Sequence, residues 1–321
     1  GIATFTQDLT KAIDKKLSSN FKTKILALNK NSTNIYNYPD NVIFQLDDVN
    51  IEEYMETAKK INQLPQIKLV NIQHEFGIFG GTYGNYLIPF LELLQKPVMV
   101  TFHSVLPDPD DTLKQVVQSI AKKVSCIIVM TQKGVEILQN DYDIKTKIKI
   151  IPHGIPTVPF TPNKEIFQDK FLLTSFGLIS SGKGYEYVID SLPEVVKKFP
   201  NLLYLILGET HPVVRKNEGE KYRNMLESKV KELGLQNNVK FYNKYLTIEE
   251  IIKYLRNSDI YLSPSLEPRQ ITSGTLSYAL GCGVPAISTP FLHAQDIINH
   301  ERGLLTKFKD HHEQKYPSKG D

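Results

Sequence analysis

The sequence predicts an α/β protein built from two Rossmann-like halves, each organised around a parallel sheet. Three observations lead there. Short aliphatic or β-branched runs alternate with helical patterns along all 321 residues. Most of those runs are apolar throughout, as strands covered on both faces of a parallel sheet must be. One composition break, PHGIPTVPFTPNKEIFQDK with its prolines from Pro152 to Pro162, separates two halves of similar size and places the boundary at residues 160/161.

Taken in order, the first helical pattern is TQDLTKAIDKKLSSNF, which carries Lys11, Lys15 and Lys16. The strands of the first half are IKLVNIQ, PVMVTFH, CIIVMT and KIKIIP. Those of the second half are FLLTSFGLI, LLYLILG, NVKFYN, IYLSPS and PAISTP. Between them Val188, Leu192 and Val195 recur at i, i+4 and i+7, the signature of a helix with one apolar face. Thr247 and Glu250 form a capping-box pair ahead of IIKYLRNS. In open parallel sheets ligands bind beyond the carboxyl ends of the strands, so the chemistry is sought in the loops that follow them.

Composition narrows the classes. With 41% apolar and 23% charged residues the chain is globular, and its net charge of +3 comes from interspersed rather than blocked charges, which argues against nucleic acid as a partner. Cys126 and Cys282 have neither disulfide nor metal-ligand spacing, as expected of a reduced, cytoplasmic protein. No apolar run approaches the ~18 residues that span a bilayer. The lysine-bearing face of the first helix is of the kind that can touch anionic lipid at the cytoplasmic membrane face, or else is plainly solvated.

Two strand-turn-helix units bear chemistry. Gly177–Gly184 spells G-x-x-x-x-G-K-G, one letter from the phosphate-binding loop of NTPases. Gly184 replaces the hydroxyl residue that would hold magnesium, and the next strand ends in LILGET without the Asp that such sites require, so the NTPase reading fails. What survives is a Gly- and Ser-rich turn, a helix N-terminus and Lys183, a set able to hold an anion. Further along, Ser273, Gly274 and Thr275 open a second helix with small residues that allow close backbone approach to a phosphate. Two such sites in one half point to a diphosphate.

The order of the Gly177–Gly184 loop, GET, NSDIYLSPS and ALGCGVPAIST resembles the C-terminal domain of the retaining glycosyltransferases of family 4, which have the GT-B fold. In the first half GIATFTQDL is similar to the family's Gly-rich loop, VMVTFHS to the strand ending in the active-site His, and IIPHGI to an Ile-Pro-Asn-Gly segment with His153 in the Asn place. The resemblance implies two Rossmann-like domains with parallel sheets facing across a cleft: residues 1–160 on the acceptor side and 161–321 binding the nucleotide sugar. Family members begin with a strand before the Gly-rich loop and end with helices after the RGLLTKF segment, so that first strand and those helices are expected to be missing from this sequence.

The roles follow by resemblance. Lys183 and the Ser273–Thr275 turn, with Gly1, Gln270, Ile271 and Tyr278, are the expected donor contacts, and His103, Gln270 and Lys183 the expected catalytic residues. Leu178 stands where the family usually has an Arg, leaving Arg269 or Arg215 to compensate. Gln270 and Tyr278 stand in the places of a paired Glu; Gln270 keeps an acceptor, and Tyr278 either meets a ribose or, as the reading preferred here, packs in its helix. Glu267 is out of register. His74 and Glu75 are expected on the acceptor side, with His153 and His211 as weaker candidates.

Asp108, Asp110 and Asp111 imitate a metal-binding D-x-D but are better placed to cap a helix, so no metal and no cofactor are expected. The implied activity is metal-independent hexosyl transfer from a nucleoside diphosphate sugar to a sugar, glycan or lipid-linked acceptor, with retention. A disaccharide phosphorylase of the same fold and a sugar-nucleotide-binding protein without turnover are the alternatives.

Overall fold

A computed structural model of the protein describes residues 1–17, 20–30, 36–159 and 164–307. The chain divides into two compact units, Gly1–Gly154 and Ile155–Asp321. The expected boundary at 160/161 falls outside the described residues.

The first unit opens with α1 (Ile2–Leu17), which includes the helical pattern expected from Thr6 and extends it back through residues expected as a loop; the N–H of Phe5 already bonds the carbonyl of Gly1 in helical fashion, 3.0 Å apart. Two strands that sequence reading passed over follow, β1 (Ile25–Asn29) and β2 (Val42–Asp47), paired in parallel as a separate two-stranded sheet. After α2 (Ile51–Asn62) come β3 (Val70–His74), α3 (Leu87–Leu93), β4 (Val98–Phe102), α4 (Asp111–Lys123), β5 (Cys126–Val129), α5 (Gln132–Asn140) and β6 (Ile148–Ile150). Strands β3 to β6 form a four-stranded parallel sheet in chain order.

The second unit holds β7 (Phe171–Phe176), α6 (Tyr185–Lys198), β8 (Leu202–Leu207), α7 (Pro212–Glu218), α8 (Lys221–Glu232), β9 (Val239–Tyr242), α9 (Ile248–Arg256), β10 (Ile260–Ser263), α10 (Gly274–Gly281), β11 (Ala286–Ser288), α11 (Leu292–Ile297) and β12 (Gly303–Leu305). Its six strands are parallel in the order β12-β11-β10-β7-β8-β9. Every residue of β8 is buried: Leu202, Tyr204 and Ile206 join one core cluster, Leu203, Leu205 and Leu207 the other. That is the double burial an unbroken apolar run implies. The capping box of Thr247 and Glu250 is formed as expected. In α6 the innermost residues are Tyr185, Ile189 and Leu192, so the buried stripe is rotated from the expected one; Val188 and Val195 line a neighbouring apolar groove instead.

Chain order in this sheet reverses between β7 and β10: the chain runs outward from β7 to β9 and then returns to β10. The loops after β7 and β10 therefore flank the crevice where a doubly wound sheet can receive a ligand.

Candidate functional site

The loop after β7 runs through Gly177 to a single 3-10 turn at Ser181–Lys183, and Gly184 ends it in the left-handed region at φ 67°. A Cβ on Gly184 would lie 2.3 Å from the carbonyl oxygen of Pro264, so only glycine lets this loop rest on the one after β10. The N–H of Leu266 donates to the Gly182 carbonyl at 3.0 Å and joins the two loops. Lys183 is half-buried, and no acceptor or carboxylate partners its ammonium among the described residues; desolvation alone lowers its pKa. An unpaired cation in this setting gains from any anion that arrives.

Across the crevice, Ser273 caps α10 by accepting the N–H of Leu276 on its hydroxyl. The N–H groups of Gly274 and Thr275, the first two residues of that helix, have no acceptor among the described residues. Helix N-terminal donors after one loop and an ammonium on the loop bonded to it make a set suited to phosphate oxygens. The turn is braced by a residue that sequence reading missed. His293 of α11 is buried and accepts the N–H of Ser273 on Nδ1 at 2.7 Å, while its own N–H bonds the Gln270 carbonyl at 3.0 Å.

Gln270 is itself engaged. Its Oε1 accepts from the Ser265 hydroxyl and its Nε2 donates to the Thr272 carbonyl, each at 3.0 Å. One lone pair and one N–H remain for a ligand. Ile271 is buried, so its side chain belongs to the core. Tyr278 packs on the core cluster and meets Phe176 edge to face at 6.3 Å, the packing role preferred for it. Arg215 bonds Glu209 and Glu220, and Arg269 lies 3.7 Å from Glu267 at the surface; neither is an uncommitted replacement for the missing Arg at Leu178. His211 caps α7 through Nδ1.

In the first unit His103 follows β4 and is nearly buried. Its Nε2 lies 2.9 Å from Gln73 Oε1, and Phe5 of α1 meets the ring edge to face at 4.8 Å. His153 also packs against Phe5, with ring centroids 5.1 Å apart. Burial, then the charge of His153 and of the Gly1 amino group, lower the His103 pKa to about 4, so the ring is neutral near pH 7. Gly1 lies in this neighbourhood of the first unit, near His103 and His153.

His74 does not line an acceptor surface. It is fully buried, stacked on Phe79 and edged by Phe76 and Phe102, and neither ring nitrogen has a hydrogen-bond partner among the described residues. Period-2 alternation explains the correction: Val70, Ile72 and His74 share one face of β3, and Ile72 is buried too. Glu75 takes the Ser104 hydroxyl at 2.6 Å and ties the segment after β3 to the one after β4. Asp110 caps α4 by accepting the N–H of Leu113 at 2.7 Å and also accepts from the Tyr83 hydroxyl at 2.6 Å. Asp111 lies in the first turn of α4, where its charge complements the helix dipole, whereas Asp108 sits outside the helix at φ 52° with its N–H donating to Asp141 Oδ2 at 3.2 Å.

Residues 159–315 match the family described as Glycosyl transferases group 1. Over 211 residues the chain is 28% identical to an uncharacterized glycosyltransferase of Methanocaldococcus jannaschii; the match covers 58% of this chain and 48% of that one, so it spans about half the relative's length. Sucrose-phosphate synthase from Thermosynechococcus elongatus superposes with a TM-score of 0.71 at 16% identity, over 96% of this chain and 80% of its own. The Anabaena protein HepE in complex with UDP gives 0.64 at 16% identity, over 82% and 71%. The fold is thus the GT-B fold, α/β with parallel sheets, and residues 159–315 are similar to the glycosyltransferase group 1 family. No helix among the described residues is long and apolar enough to cross a membrane.

Proposed function

We propose that the protein is a retaining glycosyltransferase that uses a nucleoside diphosphate sugar and needs no metal. The observation that carries this is the unpaired, half-buried ammonium of Lys183, placed on a loop bonded to the one that leads into the free N–H groups of α10. A diphosphate meets all of these donors. As the bond from the anomeric carbon to the phosphate oxygen breaks, charge develops on the leaving diphosphate, where Lys183 and the helix terminus stabilise it. In a front-face displacement the acceptor oxygen bonds the anomeric carbon on the face the diphosphate leaves, and the acceptor proton passes to the departing phosphate oxygen. His103, neutral and oriented, is the residue assigned to the donor sugar, and the acceptor is a sugar, glycan or lipid-linked hydroxyl. HepE holds UDP, which makes uracil the first base to test.

The experiment is incubation with radiolabelled UDP-, GDP- and ADP-sugars and a panel of acceptors, with the anomeric configuration of product read by proton NMR. Transfer with retention supports the proposal; inversion contradicts it. A second reading, binding without turnover, is favoured by Gln270, whose amide is largely spent inside its own loop. That reading expects donor binding with no sugar release, even to water.

A further inference from the structure

We infer that Gln73 is a positioning residue that holds His103 in one tautomer, with the Nε2 proton directed at Gln73 and the Nδ1 lone pair left for a ligand hydroxyl. The inference rests on the proposed contact between His103 and the donor sugar, but its structural part stands apart from that reading.

Strands β3 and β4 pair in parallel with Gln73 opposite Thr101. Along one face of this pair runs a series of polar side chains where a parallel sheet ordinarily buries apolar ones. Asn71 Oδ1 accepts from the Thr101 hydroxyl at 3.4 Å, Thr101 Oγ1 accepts from Gln73 Nε2 at 3.5 Å, and Gln73 Oε1 lies 2.9 Å from His103 Nε2. Thr101 is buried and His103 nearly so, so each group depends on its neighbour for a partner. The direction of donation is set along the series. Because the Gln73 amide nitrogen is spent on Thr101, its oxygen is what faces the imidazole, and an oxygen can only accept. A neutral imidazole that donates from Nε2 carries its lone pair on Nδ1. Burial of the ring comes first, and the positive charge His153 would carry also opposes protonation of His103, so the neutral, directed form is the one maintained.

A ring fixed this way offers a donor hydroxyl an acceptor without a reorganisation step. The alternative tautomer would present an N–H and could not receive that hydrogen.

The test is heteronuclear NMR of the imidazole nitrogens in the whole chain labelled on histidine, alongside turnover of labelled donor. Wild type is expected to show His103 as the Nε2–H tautomer. Gln73→Leu, which removes the acceptor, should yield a mixture of tautomers and lower kcat about ten-fold, the equivalent of one oriented hydrogen bond, with KM nearly unchanged. Gln73→Glu keeps the acceptor and adds charge; it should preserve the tautomer and move the His103 titration to higher pH. Should Gln73→Leu unfold, Gln73→Glu and Thr101→Val carry the same NMR readout. Wild-type His103 protonated on Nδ1, or a tautomer unchanged in Gln73→Leu, overturns the inference. A changed tautomer with unchanged turnover upholds the positioning by Gln73 and contradicts the catalytic reading of His103.

Discussion

His293 Nδ1 accepts the backbone N–H of Ser273 across 2.7 Å, and through this contact α11 holds the turn from which α10 begins. Replacing His293 by Leu leaves a buried N–H without a partner. The expected cost is ~1–3 kcal/mol of stability in urea unfolding, accompanied by weaker nucleoside diphosphate binding because the donors of Gly274 and Thr275 lose their setting. Unchanged stability and affinity would remove His293 from this role.

A pH dependence follows from His74. Its pKa falls from 6.5 to about 3 on folding, because burial excludes the charged ring and nearby His103 opposes it. Between those values the unfolded chain binds a proton that the folded one refuses, so stability is fully present above pH 6.5 and is lost as pH falls toward 3, at up to roughly 1.4 kcal/mol per pH unit. His103, lowered to about 4, adds a loss of the same sign. His74→Phe keeps a ring among Phe76, Phe79 and Phe102 while removing both nitrogens. The variant should show a shallower acid slope in unfolding series from pH 4 to 7; a slope equal to wild type would contradict the assignment.

Gln270 bridges Ser265 and Thr272, so Gln270→Glu should not restore the family's usual carboxylate function. A carboxylate facing the Thr272 carbonyl has no N–H to give it, and the loop should lose on the order of 1–2 kcal/mol. Gln270→Ala should lower turnover about three- to ten-fold while diphosphate affinity stays nearly constant. A more active Gln270→Glu enzyme would contradict the role of the amide in this loop.

Donor turnover should survive excess chelator, because Asp110 is committed to Leu113 and Tyr83 and the diphosphate charge can be met by Lys183 and helix termini. Loss of activity on chelation with recovery on adding manganese or magnesium would contradict this.

The parallel strands of both units were legible because unbroken apolar runs such as LLYLILG admit few other placements. β1, β2 and β12 were not read: ILALN and VIFQLD are short and sit among polar and asparagine-rich segments, and β12 is only three residues long. Within the candidate site, Lys183 and the Ser273–Thr275 turn were visible as residue types at a strand-turn-helix junction. His293 was not, since nothing in PFLHAQ marks a histidine that bonds a turn twenty residues earlier. The roles of His74 and Gln73 could have been separated by alternation alone, which puts Ile72 and His74 on one face and Asn71 and Gln73 on the other. A polar residue at a strand end drew the functional reading instead.

The most direct test of the diphosphate site is calorimetry of a nucleoside diphosphate and its parent nucleoside against wild type and Lys183→Ala. Loss of a charge-assisted contact should weaken the diphosphate by about ten- to a hundred-fold, ~1.5–3 kcal/mol, and leave the nucleoside nearly unaffected. Equal losses for both ligands, or none for the diphosphate, would contradict the assignment of the β7 and β10 loops to a nucleoside diphosphate.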